Sequence, residues 1–425
     1  MSVTKVQPQK PGALWRAAST FFMASTGMIC RSFLYGFNKV EVVGLDNFLK
    51  LLDSRKDVAA RKRGLITASN HISVLDDPLV WGVLPLKYTT DHRNLRWGLG
   101  SHDICYKNSA AGHFFCSGQT LPTHRLRHSP WGGLFQPTMN QAVRLLSAQP
   151  LPADTSKLGA PAIESLSSSS SSSSSFSTQV TSSDTPTLPP TPSDAAVKTP
   201  AKHVFASSFA PALYYSTNDV DSWPAPSAFA SNRHAWVHIF PEGLVHQKDD
   251  RGLRYFKWGV ARLILESEPA PDIVPMFIDG LDRIMHEERK FPRFLPRIGQ
   301  KVRIVFGDTV APEMFADLRD RWQQLVARSS QRSSQRGAAA SDSSSISNGT
   351  SITKAANEID LKYGPEAQQL RKETAHRMRE EVLKLRRRFG YPDEDPSLGL
   401  AETWADEPNK KRYRSQVDDS MVYRD

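Results

Sequence analysis

Nine consecutive serines, Ser167–Ser175, lie in a stretch that cannot build a hydrophobic core. Residues 152–203 are dominated by Ser, Thr, Pro and Ala, and such a composition offers too little apolar surface to offset the entropy of ordering the chain. From Arg328 to Ala356 the pattern returns, opening RSSQRSSQRGAAASDSSSISNGTS. Both stretches read as flexible inserts. Removing them from 425 residues leaves one ordinary domain in three pieces.

Within those pieces strand and helix signals alternate. LITAS after Gly64, WVHIFPEG at 236–243, IVPMFIDGL at 273–281 and KVRIVFGDTV at 301–310 are apolar runs of strand length. TMNQAVRLLSA at 138–148 and GVARLILESE at 259–268 carry helical apolar spacing, the latter ending before Pro269. A long Arg- and Lys-rich helix is expected over Glu366–Arg388, after Gly364-Pro365, as a solvated surface helix. The alternation predicts an α/β fold, a single domain with a mostly parallel or mixed sheet flanked by helices.

The formal net charge of +10 favours an anionic partner, nucleic acid or a membrane surface. No zinc-finger spacing or RNP-like aromatic motif is present, so the chain is expected to meet a membrane surface and no nucleic acid. Residues 1–40 hold Lys5, Lys10, Arg16, Arg31 and Lys39 and no acidic residue, like a mitochondrial import segment. The uncharged run AASTFFMASTGMIC is fourteen residues, short of the ~20 that cross a bilayer as a helix. Trp15, Ala18, Phe22, Ile29 and Phe33 recur at helical steps beside cationic residues, which suits a helix lying in the membrane interface. A core helix is the other reading.

The expected organisation is a basic membrane-associating segment over 1–40, domain parts over 41–150 and 234–327, disordered inserts over 151–233 and 328–356, and a charged helix and tail over 357–425. Cys30, Cys105 and Cys116 have no CxxC spacing, so neither a disulfide framework nor a metal site is expected. His102, His113, His124, His128 and His246 likewise lack a ligand spacing. NGT at Asn348 is read as a chance sequon.

The chemistry concentrates in SNHISVLDDP, residues 69–78. A histidine takes a proton from a hydroxyl when a partner fixes its tautomer, and a carboxylate does that. In a regular helix a five-residue step would leave His71 and Asp76 about 140° apart. His71 is therefore expected in the loop after the strand, with Asp76 on the turn into a helix that Asp77 caps and Pro78 opens toward LVWGVL. The chain has no G-x-S-x-G or HExxH, so the attacking group belongs to the substrate. A loop histidine beside a helix-capping aspartate fits the segment equally well.

NHISVLDDP matches the Asn-His-x-x-x-x-Asp block of the glycerolipid acyltransferase family, and FPEG at Phe240–Gly243 matches a later block, in order. DICYKNSAAGHFFCSGQTLPTHR, FKWGVARLILES and FPRFLPRIGQKVRIVFG resemble the family's mitochondrial phospholipid–lysophospholipid transacylase branch. Gln119 and Leu126 stand where that branch usually carries Lys and Gly.

The resemblance implies His71 as general base and Asp76 as its orienter. It implies Asn70, Arg125, Phe240, Pro241, Glu242 and Gly243 as substrate-binding, with Arg125 gripping a phosphate. Lys257 and Trp258 read as packing, and His238 as structural. The implied activity moves acyl chains between phospholipids and lysophospholipids, with phosphatidylcholine, cardiolipin and monolysocardiolipin as partners, at mitochondrial membranes on the intermembrane-space side. It calls for no metal and no cofactor. An acyl-CoA-dependent lysophospholipid acyltransferase shares the same chemistry, and a non-catalytic lipid-binding protein shares the basic helix.

Overall fold

Neighbouring residues of the central strands pack into two different cores. Leu65 joins Trp236, Met276 and Ile278 in one cluster, while Ile66 joins Val237, Ile273 and Phe277 in the other. A period of two sends successive side chains through opposite faces of a sheet, and a strand buried on both faces reads as an unbroken apolar run. The computed structural model describes residues 13–147, 214–341, 359–404 and 413–418.

Its strands are β1 (Lys39–Val43), β2 (Leu65–Ala68), β3 (Arg96–Ser101), β4 (Thr120–Thr123), β5 (Tyr214–Tyr215), β6 (Trp223–Pro224), β7 (Trp236–Ile239), β8 (Asp272–Asp279) and β9 (Lys301–Phe306). Its helices are α1 (Ala13–Phe37), α2 (Leu45–Ser54), α3 (Asp76–Trp81), α4 (Leu86–Thr89), α5 (His102–Cys105), α6 (Ser109–Ser117), α7 (Pro137–Leu146), α8 (Gly259–Glu266), α9 (Leu281–Ile284), α10 (Ala316–Ser341) and α11 (Pro365–Arg388).

Seven strands form one sheet in the order β1-β9-β8-β2-β7-β3-β4. From β8 to β4 every pairing is parallel; β9 runs antiparallel to β8 and parallel to β1. Side chains of α1, α2, α3 and α9 cover one face, and those of α7, α8, α10 and α11 cover the other. This is the expected mixed α/β architecture. The four expected strands are β2, β7, β8 and β9, and the two expected helices are α7 and α8. Strands β3 and β4 were not legible, because Gly98, Gly100 and Pro122 interrupt the apolar pattern. Pro122 is tolerated because β4 is an edge strand.

The expected inserts extend too far into the fold. Tyr214–Asn232 is ordered: β5 and β6 pair antiparallel, and Asp221 accepts hydrogen bonds from Ser216 Oγ, the Thr217 N–H and Trp223 Nε1. Helix α10 continues through Arg328 to Ser341; Arg, Gln, Ser and Ala do not break a helix that has already nucleated. Residues 148–213 and 342–358, with the Asn348 sequon, lie outside the described residues.

Helix α1 is part of the domain and also keeps an open apolar stripe. Ser19, Gly27, Cys30 and Leu34 form its buried side. The Ser19 hydroxyl donates to Ser117 O, and Arg31 donates to Val83 O. Gly27 lies so close to Thr89 that a Cβ would meet its side chain at 2.8 Å. On the opposite side Leu14, Phe21, Phe22, Met28, Ile29 and Tyr35 are exposed, while Trp15 and Phe33 are half-buried at the margin. No helix among the described residues is long and apolar enough to cross a membrane.

Helix α11 is not a solvated surface helix. Leu370, Met378, Val382 and Leu385 enter the core, and Arg371, Arg379 and Arg386 are fully buried. Arg379 donates to the carbonyls of Leu253 and Arg254 and pairs with Glu394. Arg386 donates to those of Asp250 and Arg251. Charge counting misreads such a helix, because a guanidinium satisfied by backbone carbonyls can be buried. Arg379→Met strands the buried Glu394 carboxylate and should lower unfolding stability by about 3 kcal/mol in urea titrations. Adding Glu394→Gln should return part of that loss.

Candidate active site

Strands β2 and β7 are parallel neighbours with Ala68 opposite Ile239, so the loops after both leave the same edge of the sheet. One loop carries Asn70 and His71, and the other carries Phe240–Gly243. Ligands of open α/β sheets sit at this carboxyl edge.

His71 Nδ1 lies 2.8 Å from Asp76 Oδ2, and that oxygen also accepts the N–H groups of Ile72 (2.6 Å) and Ser73 (2.8 Å). With a carboxylate on Nδ1, the proton sits there and Nε2 is the basic nitrogen. The imidazole stacks on Phe240 at 4.2 Å between centroids. Asp76 is wholly buried, whereas the His71 side chain stays 21% exposed. Burial pushes the Asp76 carboxyl above the ordinary range, opposed by the imidazole and the two amides.

Asp76 is the first residue of α3, and the chain folds back through residues 72–75 to bring it to His71. Asp77 is not the cap, since that position is Leu75. Its carboxylate instead accepts from Arg96 Nε at 3.0 Å and Trp81 Nε1 at 3.1 Å. The helix ends at Trp81, short of the LVWGVL stretch expected for it.

Glu242 is buried with both oxygens occupied: Oε1 accepts the His71 N–H at 2.9 Å and Oε2 the Arg254 N–H at 3.0 Å. Burial pushes its carboxyl up to about 7, against the pull of these two amides. Glu242 therefore holds the backbone beneath His71. Asn70 is likewise engaged within the fold. Its side-chain amide donates to Ile278 O and accepts from Ile278 N–H, both at 2.8 Å, extending the sheet hydrogen bonding to β8.

Pro241 O accepts the Lys257 N–H at 2.9 Å. Gly243 has φ +69°, and a Cβ there would meet Lys257 Cδ at 2.8 Å, so both conformation and space demand glycine. The Lys257 stem thus lies against FPEG. Trp258 is buried in the core. Arg125 follows β4, two strands beyond β7, and pairs with Asp103 through Nη2–Oδ2 at 2.5 Å. No contact brings it to His71. Gln119 and Leu126 are both buried, so neither offers its side chain to a lipid at the surface.

His238 is buried against the Thr67 hydroxyl at 2.8 Å and held neutral, its pKa lowered by burial to about 3. His102, His124 and Asp221 cluster with potential ligand atoms within 4.8 Å. The two imidazoles stack face to face at 4.2 Å with 19° between planes, however. Rings so arranged cannot both aim a nitrogen at one ion, and His124 Nε2 already meets Thr217 Oγ1 at 2.8 Å.

No protein-family model matches the chain. Tafazzin of Saccharomyces cerevisiae is 29% identical over 401 residues, which are 92% of this chain and 84% of the yeast protein. Tafazzin of Drosophila melanogaster is 24% identical over 277 residues, 65% of this chain and 48% of the fly protein. The chain is similar to tafazzins along most of its length. Among solved structures, the 1-acyl-sn-glycerophosphate acyltransferase of Thermotoga maritima aligns with a TM-score of 0.33 at 13% identity, over 74% of this chain and 79% of that one. The chain is an acyltransferase.

Glu242→Gln preserves shape but turns an amide N–H toward one of the two backbone N–H donors, leaving a buried donor unsatisfied at about 1–3 kcal/mol. We expect kcat to fall roughly tenfold to a hundredfold. The KM for lipid should change far less. Steady-state kinetics on the folded variant checks both.

Proposed function

We propose that the chain is a transacylase that moves acyl chains between phospholipids and lysophospholipids without acyl-CoA, and that it favours remodelling of monolysocardiolipin to cardiolipin. The observation that carries this reading is the His71–Asp76 pair, in which Nδ1 is engaged and Nε2 has no partner among the described residues. Among the described residues no protein nucleophile is hydrogen-bonded to His71, so the attacking oxygen is the lysolipid hydroxyl.

His71 Nε2 takes the hydroxyl proton as the oxygen attacks the donor ester carbonyl, and Asp76 balances the imidazolium that forms. Collapse of the tetrahedral intermediate breaks the donor ester bond. The departing lysolipid oxygen takes the proton back from Nε2, restoring neutral His71. The reaction exchanges ester for ester, so it runs both ways with an equilibrium constant near unity.

Phe240 restrains the imidazole, while Gly243 and Lys257 line the side of the site where a glycerol and phosphate would lie. Arg125 serves a phosphate only by exchanging Asp103 for it. The basic, acid-free start of the chain and its likeness to tafazzins support placement on mitochondrial membranes, peripheral to the bilayer.

Purified protein given labelled phosphatidylcholine and monolysocardiolipin should yield labelled cardiolipin with no CoA present. Cardiolipin with lysophosphatidylcholine should run the reverse. His71→Ala should lower transfer by about 10²–10⁴-fold without loss of folding. Label that moves only after acyl-CoA is added makes the chain a CoA-dependent acyltransferase.

A further inference from the structure

After α9 the chain passes through HEERKFPRFLPRIG, residues 286–299, and leaves four large apolar side chains in solvent. Phe291 is 87% exposed, Phe294 77%, Leu295 51% and Ile298 60%. Such a contiguous exposed patch marks a binding surface. Interleaved with it are Arg289, Lys290, Arg293 and Arg297, four cations against the two carboxylates of Glu287 and Glu288.

The loop is braced from within. Arg289 Nη1 donates to His286 O at 2.6 Å, Arg293 Nη2 to Glu287 O at 2.7 Å, and the Arg297 N–H to Ile284 O at 2.9 Å. It is also tied to two other parts of the molecule. Gln247 Nε2 donates to Ile72 O at 2.7 Å, and Gln247 Oε1 accepts the Glu287 N–H at 3.0 Å, so one side chain joins the loop to the residue after His71. At the far end the Gly299 N–H donates to Phe37 O at 2.8 Å, and the Gln300 N–H to Asn38 Oδ1 at 3.0 Å. The loop therefore continues into the end of α1, whose exposed apolar stripe carries the membrane-interface expectation.

We propose that the 289–298 loop is a membrane-inserting element for an anionic phospholipid bilayer. Phe291, Phe294, Leu295 and Ile298 enter the boundary between headgroups and acyl chains, and the flanking cations meet lipid phosphates. Aromatic and aliphatic tips ringed by Arg and Lys suit such a surface. Through Gln247 the inserted loop sets His71 at the height of the glycerol esters. This deepens the reading of the site as one that takes bilayer lipids, and it rests on that reading.

The test compares the full chain with Phe291→Ser/Phe294→Ser and Phe291→Trp/Phe294→Trp. Binding is read by flotation with vesicles of phosphatidylcholine and cardiolipin, and transfer is read both in those vesicles and between short-chain lipids dissolved as monomers. The serine variant should lose at least about tenfold in vesicle binding and in vesicle transfer. Its transfer between monomeric lipids should be unchanged, and the tryptophan variant should match the native chain throughout. Native-level vesicle binding and turnover by the serine variant would overturn the proposal, as would equal losses on monomeric and vesicle lipids. A native chain that transfers nothing in either form would instead overturn the transacylase reading, with flotation still deciding the loop.

Discussion

The site hangs on one buried carboxylate. Glu242 accepts the backbone N–H of His71 with one oxygen and that of Arg254 with the other. It thereby joins the loops after β2 and β7 to the segment that leads into α8. An ionised carboxylate is costly to bury unless donors surround it, and two amides in fixed positions serve better than mobile water. On the far side Arg379 and Arg386 hold the carbonyls of residues 250–254. The backbone that Glu242 grips is thus fixed from α11 as well, and the most charged helix of the chain supports the imidazole from a distance.

Above this support the chemistry is local. Three donors converge on Asp76 Oδ2, two of them the amides of Ile72 and Ser73. The geometry that orients the imidazole is the geometry that starts α3, so the ring cannot turn away without undoing the helix start. Stacking on Phe240 limits its remaining freedom. Apolar side chains that the core does not take, on α1 and on the 289–298 loop, belong to segments that meet at Phe37 and Gly299. A rigid sheet edge carrying a base, flanked by apolar and basic projections, is suited to substrates that do not leave a bilayer.

Where sequence reading succeeded, the deciding interaction lay within a few residues or a few turns. The strands β2, β7, β8 and β9 announced themselves because burial on both faces leaves only apolar positions. The His71–Asp76 contact was legible because six residues of loop and helix start contain both partners. The contacts of Asn70, Glu242 and Arg379 were not legible for the opposite reason: each side chain meets partners remote in the chain. Their partners are Ile278, Arg254 and Glu394 with the carbonyls of the 250–254 loop.

By itself the sequence determined the α/β class, the motif order and the pairing of one base with one carboxylate, since these follow from periodicity and from short-range geometry. Only the tertiary structure decided which charges are buried, which hydrophobes are not, and which motif residues support the site without facing it. Sheet order decided this. Placing β2 between β7 and β8 sets Asn70 against one neighbour and His71 beside the other, and no local pattern encodes which strands become neighbours.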